Sequence, residues 1–359
     1  MTIVFHHTRL PNGLNVIAEA NPDAHTSAVG FFVKTGARDE DRPVMGVSHF
    51  LEHMMFKGTY TMGIKPGTLE KDMEYDRRID ALMAQVVAEE AKIKGQDTAK
   101  IVDLKKQVSD LIARQKAETI VSEEIWSAYQ EAGGTGLNAS TGQEMTQYYV
   151  TLPKNKIELY LALEADRMAN PVFREFYSER DVITEERRMS ENNPGYFFQE
   201  QLNATFYAAI PYGYPVVGWM SDVSRITKQE MIDYREQFYR PDNATLVLVG
   251  DVNPDEVMPL VTKYFGPLQS KGKSPRVRTQ EPSPAYYHET YGNAFKAPYI
   301  EKRVIGRAAA APYVTVLFHM PPLWHDDVAP LYVLGRALSA RTGKMYLDMV
   351  LRDDHATAV

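Results

Sequence analysis

The 359-residue chain contains no cysteine. It therefore has no disulfide framework, no thiolate ligand for a metal and no cysteine nucleophile. It also lacks any apolar run approaching the roughly 20 residues that cross a bilayer, so the sequence predicts no membrane-spanning segment. The net charge of −7 provides no basic surface, and we therefore expect no nucleic-acid partner.

The length and composition indicate a folded chain of two domains. Hydrophobic residues make up 44% of the sequence and charged residues 24%, which is typical of globular proteins. The stretch after Gly266 is rich in proline, lysine, serine and glutamine, as linkers are. We therefore predict a first domain over residues 1–267, a linker over 268–288, and the start of a second domain over 289–359.

Turn signals and runs of apolar residues predict several strands. Pro11-Asn12-Gly13 separates two extended runs, as in a β-hairpin. Further strands are predicted within TSAVGFFVKTGARDED, GGTGLNASTGQEMTQYYVTLP, NATLVLVGDV and YVTVLFHM. Helices are predicted at about residues 156–169, 173–192 and 328–340, and this mixture of elements indicates an α+β fold.

Residues 67–120 have the pattern of a long helical hairpin. Apart from Gly95, residues 70–126 contain neither glycine nor proline. Apolar residues recur at helical spacing in two series, Ile79, Leu82, Val86 and Ile93, and then Ile101, Leu104, Val108 and Leu111. We predict a helical-hairpin insertion at about residues 67–120, with its turn at Gly95-Gln96-Asp97. A solvated structural arm is the simpler role, and a docking arm for a partner is the alternative.

The segment VSHFLEHMMFKGT places three ionisable side chains in an apolar helix. His49 and His53 are four residues apart and share one helix face, so both imidazoles can bind one cation. Glu52 lies beside that face, where it can act as a base toward a metal-bound water. H-x-x-E-H is the inverted zinc-peptidase motif. Buried ionisable groups are costly unless they are paired or metal-bound, which favours a metal site over two structural histidines.

A third ligand is required, and the helix FREFYSERDVITEERRMSEN offers several acids. Glu179 and Glu186 lie on one face of it together with Phe176 and Ile183. The same spacing is equally compatible with a charged solvent face, and spacing alone leaves Glu185 as an alternative ligand. Surface or structural roles are expected for the N-terminal histidines His6, His7 and His25.

These segments closely resemble the pitrilysin/insulinase family of zinc peptidases. The similarity extends beyond the metal motif and follows the family's order through LPNGLNVI, VKTGARDED, GVSHFLEHMMFKGT, GLNASTGQEMTQYYVTLP, ERDVITEERRM, YGYPVVGWMSDVSRIT, FYRPDNATLVLVGDVNPDEV and YFGPL. It covers about residues 7–267 apart from the helical insertion. It implies two homologous domains, each a mainly antiparallel sheet with helices packed on one face, with the second domain incomplete in this chain.

The resemblance implies roles for individual residues of the metal site. His49 and His53 correspond to the family's zinc-ligand histidines, and Glu52 to its general base. The family's third ligand is a glutamate seven residues after another glutamate on the same helix. This implies Glu186 as the ligand of a single Zn²⁺ per chain, and Glu179 as a second catalytic carboxylate that orients the histidines.

The resemblance also implies how a peptide is bound. The NAST stretch corresponds to the edge strand that receives the substrate as an added strand in this family. Asn138 and Ala139 are therefore expected to contact the peptide backbone by β-augmentation. Some relatives carry an Arg–Tyr pair that assists catalysis. Arg352 is present here but Val359 stands at the tyrosine position. The pair is therefore expected to be missing, to be completed after Val359, or to be completed by a partner chain.

The implied function is a zinc-dependent endopeptidase that cleaves short or unfolded peptides. The alternatives are a metal-bearing subunit of a hetero-oligomeric processing peptidase, and a non-catalytic structural relative. We expect a homodimer or a heterodimer with a metal-free homologous subunit. The first residues lack the basic start and long apolar core of a signal peptide. We therefore expect a bacterial protein of the cytoplasm, or of the periplasm if a signal peptide has been removed.

Overall fold

The computed structural model describes residues 5–207, 211–270, 303–307, 312–318, 320–321, 323–353 and 356. The chain divides into two compact units, Met1–Arg278 and Thr279–Val359. Most of the predicted linker at 268–288 lies outside the described residues, and the predicted domain boundaries stay predictions. Within the described part of the chain, no helix combines the length and the apolar character needed to cross a membrane.

A six-stranded mixed sheet forms the centre of the first unit, and the α+β prediction is confirmed. In chain order the strands are β1 (His6–Arg9), β2 (Asn15–Ala20), β3 (Ser27–Val33), β4 (Thr135–Thr141), β5 (Thr146–Leu152) and β6 (Ala244–Gly250). Their order across the sheet is β1-β2-β6-β3-β5-β4. The β2–β6 pair is parallel and the other pairs are antiparallel. Strand β4 therefore lies at an edge of the sheet.

The predicted hairpin at Pro11-Asn12-Gly13 connects β1 to β2. Gly13 has a φ of +95°, and a Cβ placed there would lie 2.6 Å from Cβ of Asp242, so only glycine fits. The side-chain amide of Asn12 donates hydrogen bonds to the carbonyl oxygens of Phe265 and Leu268, at 2.7 and 2.9 Å. The turn is thus tied to the end of a helix as well as to the sheet.

Ten helices belong to the described part of the first unit. They are α1 (Val47–Met54), α2 (Leu69–Glu90), α3 (Thr98–Glu118), α4 (Glu124–Glu131), α5 (Ile157–Ala169), α6 (Phe176–Glu191), α7 (Pro194–Phe206), α8 (Met220–Val223), α9 (Lys228–Phe238) and α10 (Pro254–Phe265). Short 3-10 turns lie at Ala37–Asp39, Lys154–Lys156, Pro211–Gly213 and Pro241–Asn243.

One face of the sheet is buried beneath these helices. Alternate residues of β3, Val29, Phe31 and Val33, are buried, and so are alternate residues of β5 and β6. The ring of Phe31 stacks on Phe265 of α10, with centroids 5.8 Å apart. This period-two burial is what a half-covered sheet requires, and it confirms the predicted packing of helices on one face.

The predicted helical hairpin is confirmed as α2 and α3. Its two arms share a separate apolar cluster formed by Tyr75, Ile79, Met83, Val86, Ile101, Leu104, Val108 and Leu111. Asp97 caps α3 by accepting a hydrogen bond from the amide of Lys100 at 3.0 Å. The assignment of Ile93 to the buried series was wrong. Helix α2 ends at Glu90, and the side chain of Ile93 is 98% exposed in the turn that follows.

A buried ion pair fastens the hairpin to the rest of the unit. Nε of Arg174 lies 2.7 Å from Oδ2 of Asp72, and both side chains are almost fully buried. The other oxygen of Asp72 accepts hydrogen bonds from Thr119 at 2.9 Å and Gln115 at 3.0 Å. Every member of this group depends on the others, because an unpaired buried charge is costly.

The second unit contains a helix, α11 (Val328–Ser339), followed by a short turn of α12 (Lys344–Tyr346) and a π-helical stretch, Leu347–Arg352. The helix at 328–340 was predicted from the sequence. The strand predicted in YVTVLFHM is wrong for the described residues 312–318, which have no strand assignment. A strand needs a neighbour to bind its backbone groups, and no described segment of this unit pairs with these residues.

We expect Asp72→Ala to lower the free energy of unfolding by about 3–5 kcal/mol, because it leaves the Arg174 guanidinium buried without a counter-charge. Urea denaturation measures this change. Asp103→Ala removes an exposed carboxylate on the same hairpin and is expected to change stability by less than about 0.5 kcal/mol. Equal stability of the two variants would show that the Asp72–Arg174 pair does not anchor the hairpin.

Candidate metal centre

Helix α1 carries the H-x-x-E-H motif and is held in place at its first turn. Gly46 precedes the helix with a φ of +97°. The carboxylate of Glu40 accepts hydrogen bonds from the amides of Gly46 at 2.7 Å and Ser48 at 2.8 Å. Burial raises the pKa of Glu40 to about 8. The start of α1 is therefore fixed by a fully buried carboxyl group that satisfies two of its free amides.

The opposite side of α1 fixes the orientation of the histidines. Val47, Phe50, Leu51 and Met54 are fully buried in the core. His49 and His53 consequently share the remaining face, with their ring centroids 4.8 Å apart. Burial, with the charge of His53 as a second cause, lowers the pKa of His49 to about 4. Near neutral pH this imidazole is uncharged, as a metal ligand must be.

Helix α6 brings Glu186 to both histidines. Its Oε1 lies 3.9 Å from Nε2 of His49, and its Oε2 lies 3.9 Å from Nε2 of His53. One ligand atom from each residue lies within 4.8 Å of the other two. Two atoms that bind one zinc ion at about 2.1 Å each must lie within about 4.2 Å of each other. Both histidine–glutamate distances meet this limit, so the two imidazoles and the carboxylate suit the ligand set of a zinc site.

The side chain of Glu185 points elsewhere. It is 62% exposed and pairs with Nη1 of Arg188 at 3.1 Å. Of the two adjacent glutamates that spacing left open, the structure brings Glu186 together with the histidines. Among the described residues, His49, His53 and Glu186 form the one group of three or more potential ligands whose ligand atoms lie within 4.8 Å of one another. His6, His7 and His25 are exposed and lie outside this group.

Glu179 lies two helical turns before Glu186 on α6 and binds the other nitrogen of His53. Nδ1 of His53 is 2.9 Å from Oε1 of Glu179. Burial raises the pKa of Glu179, but the hydrogen bonds from His53 and Lys57 lower it by more, to about 2. The ionised carboxylate can only accept, so the ring donates Nδ1–H to it, and Nε2 is left to face Glu186. Such a carboxylate fixes both the tautomer and the orientation of a ligand histidine.

Glu52 lies beside the ligand group and is only 8% exposed. Its Oε2 accepts a hydrogen bond from the hydroxyl of Thr141 at 2.7 Å. Burial raises the pKa of Glu52, although the hydrogen bond from Thr141 opposes this effect. A carboxylate with a raised pKa is better suited to accept a proton and later return it. The position of Glu52 therefore suits general acid–base chemistry next to the three ligand atoms.

Strand β4 connects this site to the edge of the sheet. Thr141, which binds Glu52, is its last residue. Asn138 and Ala139 pair with β5 opposite Tyr149 and Tyr148, and no described strand pairs with the other side of β4. The backbone of Asn138 and Ala139 thus lies on a free edge that leads to the ligand group. Their predicted contact with a peptide stays a prediction.

Sequence reasoning missed three residues that shape the site. Glu40 caps α1, Thr141 binds Glu52, and Nζ of Lys57 lies 2.7 Å from Oε2 of Glu179. Lys57 follows His53 by four residues within the quoted motif, which was the available signal. The contact of Thr141 with Glu52 joins residues 89 positions apart. Glu40 lies only six and eight residues before Gly46 and Ser48, but the loop between them has no helical spacing that would indicate the contact.

Two family models match the chain. The model described as Insulinase (Peptidase family M16) matches residues 15–66 and 110–218, and the model described as Peptidase M16 inactive domain matches residues 225–351. The first match omits residues 67–109, which contain α2, the turn and the start of α3. This gap agrees with the interpretation of the hairpin as an insertion.

The curated relatives include an uncharacterized zinc protease of Mycobacterium leprae (strain TN), 28% identical over 268 residues, which are 74% of this chain and 47% of the relative. The probable mitochondrial-processing peptidase subunit beta of Arabidopsis thaliana is 28% identical over 265 residues, 73% of this chain and 39% of the relative. The chain thus spans about half the length of the curated relatives it matches, or less.

Solved structures share the fold. A protease from Helicobacter pylori superposes with a TM-score of 0.67 at 20% sequence identity, covering 99% of this chain and 70% of that protein. Pitrilysin superposes with a TM-score of 0.55 at 18% identity, covering 79% of this chain and 25% of that protein. Family models, relatives and fold agree, and the chain belongs to the pitrilysin/insulinase (M16) family of zinc peptidases.

Proposed function

We propose that this chain is a zinc-dependent endopeptidase with His49, His53 and Glu186 as the ligands of one zinc ion and Glu52 as the general base. One observation carries the proposal. The Nε2 atoms of both histidines lie 3.9 Å from the carboxylate of Glu186, beside a buried glutamate that is not part of the ligand set. Three ligands and an adjacent base are what hydrolysis at a zinc centre requires.

The residues of this chain supply the proton transfers. A zinc ion bound here would polarise a peptide carbonyl and lower the pKa of a water molecule. Glu52 takes the proton of the attacking water on a carboxylate oxygen, while Thr141 holds Oε2. The C–N bond breaks when Glu52 returns that proton to the leaving amine. The raised pKa of Glu52 supports both directions of transfer, because burial disfavours its charged form.

We propose that the substrate is a short or unfolded peptide bound along β4. An extended peptide can pair with the free edge of this strand through Asn138 and Ala139. The strand ends at Thr141, next to Glu52. A peptide added there would run toward the ligand group. Most backbone groups of a folded protein are already paired within it, so short or unfolded substrates are favoured.

A second candidate is a subunit of a hetero-oligomeric processing peptidase. It is favoured by the similarity to the mitochondrial-processing peptidase subunit beta, a protein whose name identifies it as one subunit. In this case the chain would bind zinc and pair with a metal-free homologous subunit before cleaving peptides. If a single gene encodes the whole enzyme, two copies of this chain would instead pair as a homodimer. A non-catalytic relative is less compatible with four intact residues, His49, Glu52, His53 and Glu186.

We expect Glu52→Gln to retain stoichiometric zinc and to lower cleavage of a quenched fluorescent peptide library by about 100- to 10,000-fold, because it removes proton transfer. Metal analysis and fluorescence measure the two effects, and a chelator should abolish cleavage by the unaltered chain.

Glu131→Gln, at an exposed glutamate of α4, is the control and should cleave normally. Full activity of Glu52→Gln would contradict the mechanism. Stoichiometric zinc without cleavage by the unaltered chain would favour the paired-subunit candidate.

The adjacent glutamates give a matched test of the ligand set. Glu186→Gln is expected to lose zinc, because it removes the carboxylate that faces both histidines. Glu185→Gln changes an exposed residue that pairs with Arg188 and should keep zinc. Metal content after dialysis, with circular dichroism to verify folding, measures both. Zinc loss in Glu185→Gln alone would show that the ligand assignment is wrong.

A further inference from the structure

Lys57 follows the end of α1, four residues after His53. Its amide donates a hydrogen bond to the carbonyl oxygen of Met54 at 3.1 Å, which continues the turn of the helix. Its side chain is only 16% exposed and is directed at α6, where Nζ lies 2.7 Å from Oε2 of Glu179 and 4.0 Å from Oε2 of Glu175. A largely buried ammonium thus lies between two carboxylates, one of which binds His53.

The carboxylate of Glu179 is divided between two donors. Oε1 accepts from Nδ1 of His53 at 2.9 Å, and Oε2 accepts from Lys57 at 2.7 Å. With both oxygens engaged, the carboxyl group has one orientation. If Oε2 had no partner, the group could rotate about its last torsion and weaken the bond to His53. The lysine therefore acts on the histidine through the glutamate.

Backbone strain is concentrated around the same lysine. Among the described residues, two that are not glycine have positive φ, Glu123 at 55° and Glu175 at 57°. They are the N-cap residues of α4 and α6. Burial lowers the pKa of Lys57, but Glu179, Glu175 and Glu123 raise it by more. Strained residues of this kind persist where the surrounding structure holds them, and they cluster at functional sites.

We propose that Lys57 is a positioning residue of the metal centre, which fixes Glu179 so that His53 keeps Nδ1–H on that carboxylate and Nε2 toward His49 and Glu186. The proposal rests on the proposed function, since it concerns the same zinc site. Glu175 supports Lys57 from the strained start of α6. Glu175 itself pairs with Lys116 of the helical hairpin at 3.4 Å, so the insertion reaches this ion-pair chain.

The test is zinc affinity, measured by competition with a chromogenic chelator. Lys57→Met keeps the aliphatic stem but removes the ammonium, and should weaken zinc binding by about 10- to 100-fold, the effect typical of a residue that orients a ligand. Lys57→Arg should restore most of the affinity. In a Glu179→Gln background, Lys57→Met should cost little more, because the lysine acts through that carboxylate.

Lys228→Met is the matched control. Lys228 is also 16% exposed and pairs with two carboxylates, Asp76 at 3.5 Å and Asp80 at 3.1 Å. Its substitution should lower thermal stability but leave zinc affinity unchanged. Unchanged zinc affinity in Lys57→Met would overturn the proposal. So would a loss that is fully additive with Glu179→Gln, because a merely structural lysine would weaken both backgrounds equally.

A second measurement separates this proposal from the proposed function. If the unaltered chain binds no zinc, the proposed function fails, but the imidazole ¹⁵N spectrum of the metal-free chain still tests Lys57. His53, assigned by comparison with His53→Asn, should show one Nδ1–H tautomer in the unaltered chain and in Lys57→Arg. Lys57→Met, or Lys57→Leu if the first variant does not fold, should show mixed tautomers. An unaltered His53 spectrum in the folded variant would overturn the proposal.

Discussion

The packing of α1 against α6 is the contact on which the site depends. The rings of Phe50 and Phe176 lie 4.8 Å apart, and Ile183 is fully buried. This apolar contact fixes which turn of α6 faces which turn of α1. Glu179 and Glu186 are seven residues apart, about 10 Å along the helix. Glu179 can therefore bind Nδ1 of His53 while Glu186 faces Nε2 of the same ring. A shift of α6 by one turn would break both contacts.

The charges around this contact explain why ionisable groups are tolerated in an apolar helix. Glu52, Glu179 and Glu186 contribute negative charge when ionised, and Lys57 supplies the positive charge that meets Glu179. His49 cannot offset the remaining negative charge, because burial lowers its pKa to about 4. A divalent cation bound by His49, His53 and Glu186 would offset it. Metal ligation would then offset the desolvation free energy of burying these groups.

Local patterns predicted the parts of the fold that local chemistry determines. The hairpin at Gly13, the two arms of the insertion and the shared face of His49 and His53 follow from turn residues and helical period. Spacing could not choose between Glu185 and Glu186, because adjacent residues on a helix differ by only 100° and the choice depends on how α6 packs. The resemblance to the family supplied that choice.

The errors have equally physical causes. Ile93 continues the spacing of the buried series, but a helix buries only the turns that meet a partner, and α2 ends at Glu90 before Ile93 is reached. Residues 312–318 have the composition of a strand, yet composition cannot provide the neighbouring strand that a ladder requires. The contact of Lys57 with Glu179 joins residues more than a hundred positions apart in sequence. It follows from tertiary packing alone.

The insertion shows how a long segment can be accommodated in the chain without disturbing the metal site. Its ends meet, because Ile64 bridges Ile120 and the amide of Lys65 donates to the carbonyl oxygen of Thr119 at 2.7 Å. Because the two ends of the hairpin are adjacent, it replaces a short loop without moving the elements on either side. The added chain length between the ends costs little loop-closure free energy. The hairpin also touches α6, since the hydroxyl of Tyr177 donates to Asp80 at 2.9 Å. Tyr177 lies two residues before Glu179, so the inserted helices buttress the helix that orients the metal ligands.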